Sequence, residues 1–309
     1  MTVPKPVSVP ARLTLGPVLY NWPADAWRDF HFRIADEAPV DTVHVGEVIC
    51  WKRQSFIAPH LPQVIERLRA AGKEVVLSSL ALVMSPKERE AMQALAAGAG
   101  DAMIEANDLA IAGALAGRPH MIGPTVNVYN EGTLSFLAGR GARRVCLPAE
   151  LPAAAAALLA AQGLAEIEIQ AFGRLPLALS ARCYHARSHN LHKDGCQYVC
   201  ADDPDGMDVD TMDGRPFLSV NGTTTMSSRH VDLLGDLADL RRMGLTRFRL
   251  WPHSCDMVAV ARLFRDTLDG ALDGTEASAR LADLLPEADF ANGYAHGREG
   301  HAFVQEALG

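Results

Sequence analysis

Strand-length apolar runs alternate with helix-period segments along most of this chain, and that alternation restricts the fold more than any other feature. TVHVGEV (42–48), EVVLSSLAL (74–82) and RFRLWP (247–252) have the length and residue types of strands. Between them run segments such as LPQVIERLRAAG, where Leu61, Val64, Ile65 and Leu68 share one helical face and Gly72 stops the helix. Further strands are expected at 13–20, 101–106, 120–130, 143–147 and 166–173. Helices are expected at 23–36, after the Ser85-Pro86 cap, and near 108–116, 131–139, 151–165 and 255–269. Seven or eight such βα units point to a single α/β domain over residues 1–309, a (β/α) TIM-barrel-like fold, irregular or incomplete. A doubly wound open sheet is the alternative. Its dinucleotide-binding version is disfavoured, because GAGDAM and GRGARR both lack the third glycine of that fingerprint.

A long insertion, residues 173–246, separates the seventh and eighth expected strands and far exceeds an ordinary βα loop. It holds an acidic loop at 201–214, a hairpin at PFLSVNGTTTMSS and a helix over VDLLGDLADLRRMG with Leu233, Leu237 and Leu240 on its buried face. The acidic loop lacks the EF-hand spacing and reads as a solvated loop. The insertion opens with SARCYHARSHNLHKDGCQYVC, which carries three of the six cysteines, Cys183, Cys196 and Cys200.

The cellular context decides what clustered cysteines do. The chain has 309 residues, 49% hydrophobic and 21% charged, with a net charge of −8 that offers no basic face for a nucleic-acid partner. The start, MTVPKPVSVPARLTLG, has three prolines and no apolar stretch of signal-peptide length, so it reads as a short tail. The alanine-rich run at 151–165 is too short to span a bilayer. A cytoplasmic protein with no transmembrane segment is expected, and in a reducing compartment clustered cysteines favour metal ligation over disulfides.

Cys196 and Cys200, at i and i+4, would share one side of a helical turn, and Cys183 is far enough upstream to fold back beside them. Zinc would need a fourth donor, for which His185, His189 and His192 are candidates. A [4Fe–4S] cluster would need a fourth thiolate, from Cys50 or Cys255; Cys146 lies in an apolar strand-like run and reads as core. Arg182, Arg187 and Lys193 would offset the negative charge of a cluster. Spacing alone leaves zinc and iron–sulfur level. No H-E-x-x-H, G-x-S-x-G or P-loop motif is present.

Several stretches carry a resemblance. LGPVLYNWP, GEVICWKR, LSSLALV, IEANDL, the NVYN of 127–130, LPLALSARCYHARS, C-x12-C-x3-C and VNGTTTMS together resemble the UbiV proteins of the collagenase-like peptidase superfamily. That resemblance implies a [4Fe–4S] cluster bound by Cys50, Cys183, Cys196 and Cys200. It implies a heterodimer with a UbiU-like protein and a UbiT-like lipid-binding accessory protein. The implied reaction is O2-independent hydroxylation of the benzenoid ring of ubiquinone precursors, with prephenate as the oxygen donor. Relatives in the superfamily hydroxylate RNA bases, a substrate the acidic charge balance disfavours, and nothing in the sequence supports proteolysis. A zinc-stabilised barrel-like scaffold is the alternative from a different class. Glu47, Lys52, Arg53, Asn127, Tyr129, Asn130, Arg182 and Asn221 are the polar candidates for substrate binding near strand ends, with Arg53 and Arg182 the first choices for a dicarboxylate. No residue is assigned as catalytic.

Overall fold

The computed structural model describes residues 10–308, and the expected N-terminal tail lies, over residues 1–9, outside the described residues. Seven parallel strands follow one another around the molecule: β1 (Arg12–Leu15), β2 (Thr42–Val45), β3 (Glu74–Ser78), β4 (Met103–Ala106), β5 (His120–Ile122), β6 (Ala142–Cys146) and β7 (Glu166–Leu179). After them come β8 (Met207–Asp210), β9 (Pro216–Asn221) and β10 (Thr224–Asp232), and then β11 (Arg247–Leu250). β11 is parallel to both β7 and β1, pairing Phe248 with Ile169 on one side and with Leu13 on the other. The barrel is therefore closed, with eight strands and helices outside, a complete version of the TIM-barrel-like fold.

Outward-facing residues such as Leu13, Val43, Phe248 and Leu250 are buried under the helices, of which Met257–Leu268 contributes Val260, Ala261 and Phe264 to the core. The inward-facing residues are charged. Arg249 donates from Nε to Glu168 Oε1 at 2.6 Å, and its Nη2 lies 2.6 Å from Glu105 Oε1. Thr14 and Ser78 donate to the same two carboxylates at 2.7 and 2.8 Å. His44 Nδ1 lies 3.2 Å from Glu105 Oε2. Burial alone would raise both carboxyl pKa values, but Arg249 and the surrounding polar groups outweigh it and hold both below the usual range. Burial lowers the pKa of His44, partly opposed by Glu105. A second layer closes the amino-terminal end of the barrel, where Arg144 lies 3.1 Å from Glu74 and 2.9 Å from Glu166, and Arg247 lies 3.2 Å from Glu166.

The seventh strand does not stop at Gly173 as its sequence suggests. There the backbone takes φ +102, and a Cβ would sit 2.8 Å from Trp251 Cβ and 2.9 Å from His253 Nε2, so glycine alone fits. Beyond that bend β7 continues to Leu179 and pairs antiparallel with β10, which pairs with β9, which pairs with β8. The result is a sheet overhanging the carboxyl end of the barrel. Because β10 extends to Asp232 and pairs at Val231 with the short β12 (Phe290–Ala291), the expected helix over 231–244 shrinks to Leu237–Arg242. Among the described residues no helix is long and apolar enough to cross a membrane.

Replacing Arg249 with methionine leaves two buried carboxylates without the cation in contact with both, a change expected to cost about 3–5 kcal/mol in urea unfolding at pH 7. In the native chain the depressed pKa values of Glu105 and Glu168 give stability that is present above about pH 4.3 and lost as pH falls towards their folded values. In Arg249→Met the same carboxyls have raised pKa values, so the deficit should shrink as pH is lowered towards 4. An equal deficit at both pH values would contradict this account of the barrel interior.

Candidate metal centre

Three chain segments meet on the carboxyl side of the barrel. After β2, Gly46 adopts φ +130, where a Cβ would strike the Ser78 carbonyl at 2.6 Å. Glu47 then folds back, and its Oε1 accepts from the amides of Ile49 and Cys50 at 2.7 and 2.8 Å. This fixes the backbone that presents Cys50, directly before the short 3-10 turn Trp51–Arg53. Cys183 caps the short helix Tyr184–Ser188, its sulfur accepting from the Ala186 amide at 3.4 Å. Cys200 lies in the 3-10 turn Val199–Ala201 and accepts from Asn21 Nδ2 at 3.4 Å.

Cys196 and Cys200 do not share a helical turn as their spacing suggests. Gln197 and Tyr198 between them take φ +51 and +58, so the chain turns left-handed and reaches Cys200 by another route. All four of Cys50, Cys183, Cys196 and Cys200 line one cavity of about 370 Å³ counted out to open solvent. Among the described residues no three His, Cys, Asp or Glu side chains converge closely enough to grip a single ion.

Arg53 lines the same cavity and is almost wholly buried. Its Nη1 donates to the Leu19 carbonyl at 2.8 Å and its Nη2 to Asn221 Oδ1 at 2.9 Å, while Nε has no partner. Among the described residues no carboxylate lies within 4 Å of it. Burial opposes its charge, but Glu47 and the thiols of Cys200 and Cys50 outweigh burial and push its pKa up. Burial likewise raises the thiol pKa of Cys50 and Cys183. At those two positions a bare thiolate is disfavoured, which suits a positively charged metal core that replaces the protons.

The β9–β10 turn closes one side. Gly222, at φ +63, lies where a Cβ would come within 2.8 Å of Arg53 Nη2. Thr223 donates to the Ile49 carbonyl at 3.1 Å, and Asn221 Nδ2 to the Leu19 carbonyl at 2.6 Å. On the opposite side Lys52 Nζ donates to the Lys193 carbonyl at 2.5 Å, which ties the cysteine loop to the Cys50 segment. Of the three histidines, His185 alone lines the cavity. Its Nε2 lies 2.7 Å from Asp203, whereas His189 and His192 are exposed. Cys255 lies elsewhere beside Met257, and burial raises its pKa to about 12; Cys146 is buried in the barrel wall.

The polar candidates divide into groups. Glu47, Arg53 and Asn221 are buried and committed to contacts within the protein, bracing the cysteine cavity. Arg182 is exposed and lines no part of that cavity. Asn127 and Tyr129 stand apart at the mouth of the barrel, where Tyr129 donates to Glu150; Asn130 caps the helix Glu131–Gly139 by accepting from Thr133. Asn21 and Thr223 escaped notice as contributors, because their contacts to Cys200 and Ile49 join residues 179 and 174 positions apart. The stretches LYNWP and NGTTT were the only signal of them in the sequence.

Among solved structures, "The Structure of the U32 Peptidase Mk0906" is similar over 82% of this chain and 97% of that one, at 11% identity and a TM-score of 0.46. That likeness bears on neither ligand nor chemistry. The family model described as Peptidase family U32 matches residues 30–305, nearly the whole length, and the chain belongs to that family.

Proposed function

We propose that this chain is a [4Fe–4S]-carrying subunit of the UbiV type. In this reading it pairs with a UbiU-like protein to hydroxylate the benzenoid ring of ubiquinone precursors without O2. Prephenate is the oxygen donor and a UbiT-like lipid-binding protein the accessory partner. The observation that carries the reading is the cavity where Cys50, from the end of β2, meets Cys183, Cys196 and Cys200 beside the buried cation of Arg53. Four thiols around one cavity match the number of thiolates that a four-iron core takes.

Those four cysteines would hold the cluster. When bound, it supplies one-electron transfer for a reaction that removes two electrons from the ring and delivers one oxygen atom. The residues of this chain set its environment. Arg53 offsets negative charge on the thiolates, and the Asn21 amide and the Ala186 N–H donate to the sulfurs of Cys200 and Cys183. Glu47 fixes the Cys50 backbone, and the Asn221–Thr223 turn shields that side from water.

Chain purified without oxygen is expected to contain about four iron and four sulfide per polypeptide. Visible cluster absorbance should vanish in Cys50→Ala and persist in Cys255→Ala. Stoichiometric zinc without sulfide would overturn the reading in favour of a zinc-stabilised scaffold, and hydrolysis of denatured collagen by the purified chain would favour the activity in the family's name. Arg53→Gln should shift the midpoint potential of the cluster to more negative values by on the order of 100 mV, the effect of one unit charge a few ångströms away in a partly screened site. An unchanged potential in a loaded variant would remove Arg53 as the counter-charge.

A further inference from the structure

The carboxyl mouth of the barrel holds a second cavity, distinct from the one the cysteines line. An open cleft of about 710 Å³, counted out to solvent, lies between the ends of β5, β6 and β7. It narrows at Pro124, Thr125, Pro176 and Leu179 into a tight throat with Trp251 and Glu105 in its lining. The walls mix stiff apolar residues, Pro124, Pro148 and Pro176 with Leu177, with the polar side chains of Thr125, Asn127, Glu150 and Gln170. Proline has little side-chain freedom to lose when a ligand arrives.

The side-chain hydrogen-bonding groups are uncharged apart from two carboxylates, Glu150 in the cleft and Glu105 in the throat. Asn127 is held at φ +61, and its side chain makes no hydrogen bond among the described residues. Thr125 donates to the Asn107 carbonyl at 2.6 Å and keeps its lone pairs free to accept. Glu150 at the rim accepts from Tyr129. Among the described residues no lysine or arginine lines the cleft or the throat. Beneath the throat Arg249 lies between two carboxylates, Glu105 and Glu168, so carboxylate outnumbers guanidinium in that cluster among the described residues.

We propose that this cleft binds an uncharged ring bearing hydroxyl or amide groups and rejects dicarboxylates. A dianion entering it would meet Glu150 at the rim and an excess of carboxylate below, with no guanidinium or ammonium to receive it. A neutral ring can lie against the proline and leucine faces while its hydroxyl or amide groups meet the uncharged donors and acceptors between them. The throat also adjoins the cysteine cavity. Leu19 and Ile49 line the throat, and their carbonyls accept from Arg53 and Thr223, which line the cysteine cavity. Within the hydroxylation proposed above, the cleft seats the ring to be modified and the oxygen donor binds elsewhere. That assignment rests on the hydroxylase reading, whereas the charge selectivity does not.

Saturation-transfer NMR on the full chain, with phenol and isophthalate as separate probes, tests the selectivity. Phenol is expected to bind at least tenfold more tightly than isophthalate. Ala178→Trp, at an exposed position that lines the cleft, should abolish the phenol signal. Glu150→Lys should improve isophthalate binding about tenfold by giving the rim its first cation. Isophthalate binding as well as phenol to the native chain, or phenol binding unaltered by Ala178→Trp, would overturn the proposal. These outcomes do not depend on whether iron and sulfide are found, so a failed hydroxylase reading and a failed binding site are told apart.

Discussion

A guanidinium held between two carboxylates inside a closed barrel is the contact on which the rest of this molecule depends. Arg249 on β11 bridges Glu105 on β4 and Glu168 on β7, and Thr14, His44 and Ser78 bring in β1, β2 and β3. Six of the eight barrel strands thus converge on one charge cluster. An unpaired charge at that depth would carry a penalty of several kcal/mol, so each member holds its neighbours in register. Hydrophobic residues on the outer face glue helices to the barrel, but they would tolerate a strand shifted by two residues far better than this network does. The strand ends above it, where Glu47, Cys50 and the mouth cleft lie, inherit that fixed register.

Much of the barrel was legible because a strand buried under a helix needs a run of apolar residues. All eight barrel strands overlap the segments the alternation singled out, and the helix at 131–139 has the expected bounds. The charged interior was legible too, although it went unread. RFRL and EIEIQ alternate charge with apolar residues at period two, which places Arg249, Glu168 and Gln170 on one face. An inward charged face is unusual enough that such alternation reads more naturally as a strand with a solvated side. The overhang was hidden for a different reason. Gly173 looks like a terminator in sequence, and only the contacts with Trp251 and His253 reveal a bend in a strand that continues.

The cysteine cavity divides the same way. That Cys183, Cys196 and Cys200 belong together follows from their density in a polar segment. Their geometry does not, because the left-handed turns at Gln197 and Tyr198 leave no mark in the spacing. Arg53 stood out as a cation near a strand end, which suggested a ligand for carboxylates. Its burial and its bonds to Leu19 and Asn221 put it in the wall of the cavity instead. Residues that join segments nearly 180 positions apart, such as Asn21 and Cys200, are beyond local pattern altogether.

Because β7 serves the barrel with its first half and the overhang with its second, the two parts have no joint between them. That continuity is braced by β10, which pairs with β7 on both sides of the Gly173 bend, from Phe172 to Leu179. The mouth opens to solvent through the cleft between the β5, β6 and β7 ends. The overhang also gives the cysteine loop two rigid posts, Leu179 before it and Met207 after it. Whatever sits among the sulfurs is held in a frame that the barrel keeps taut.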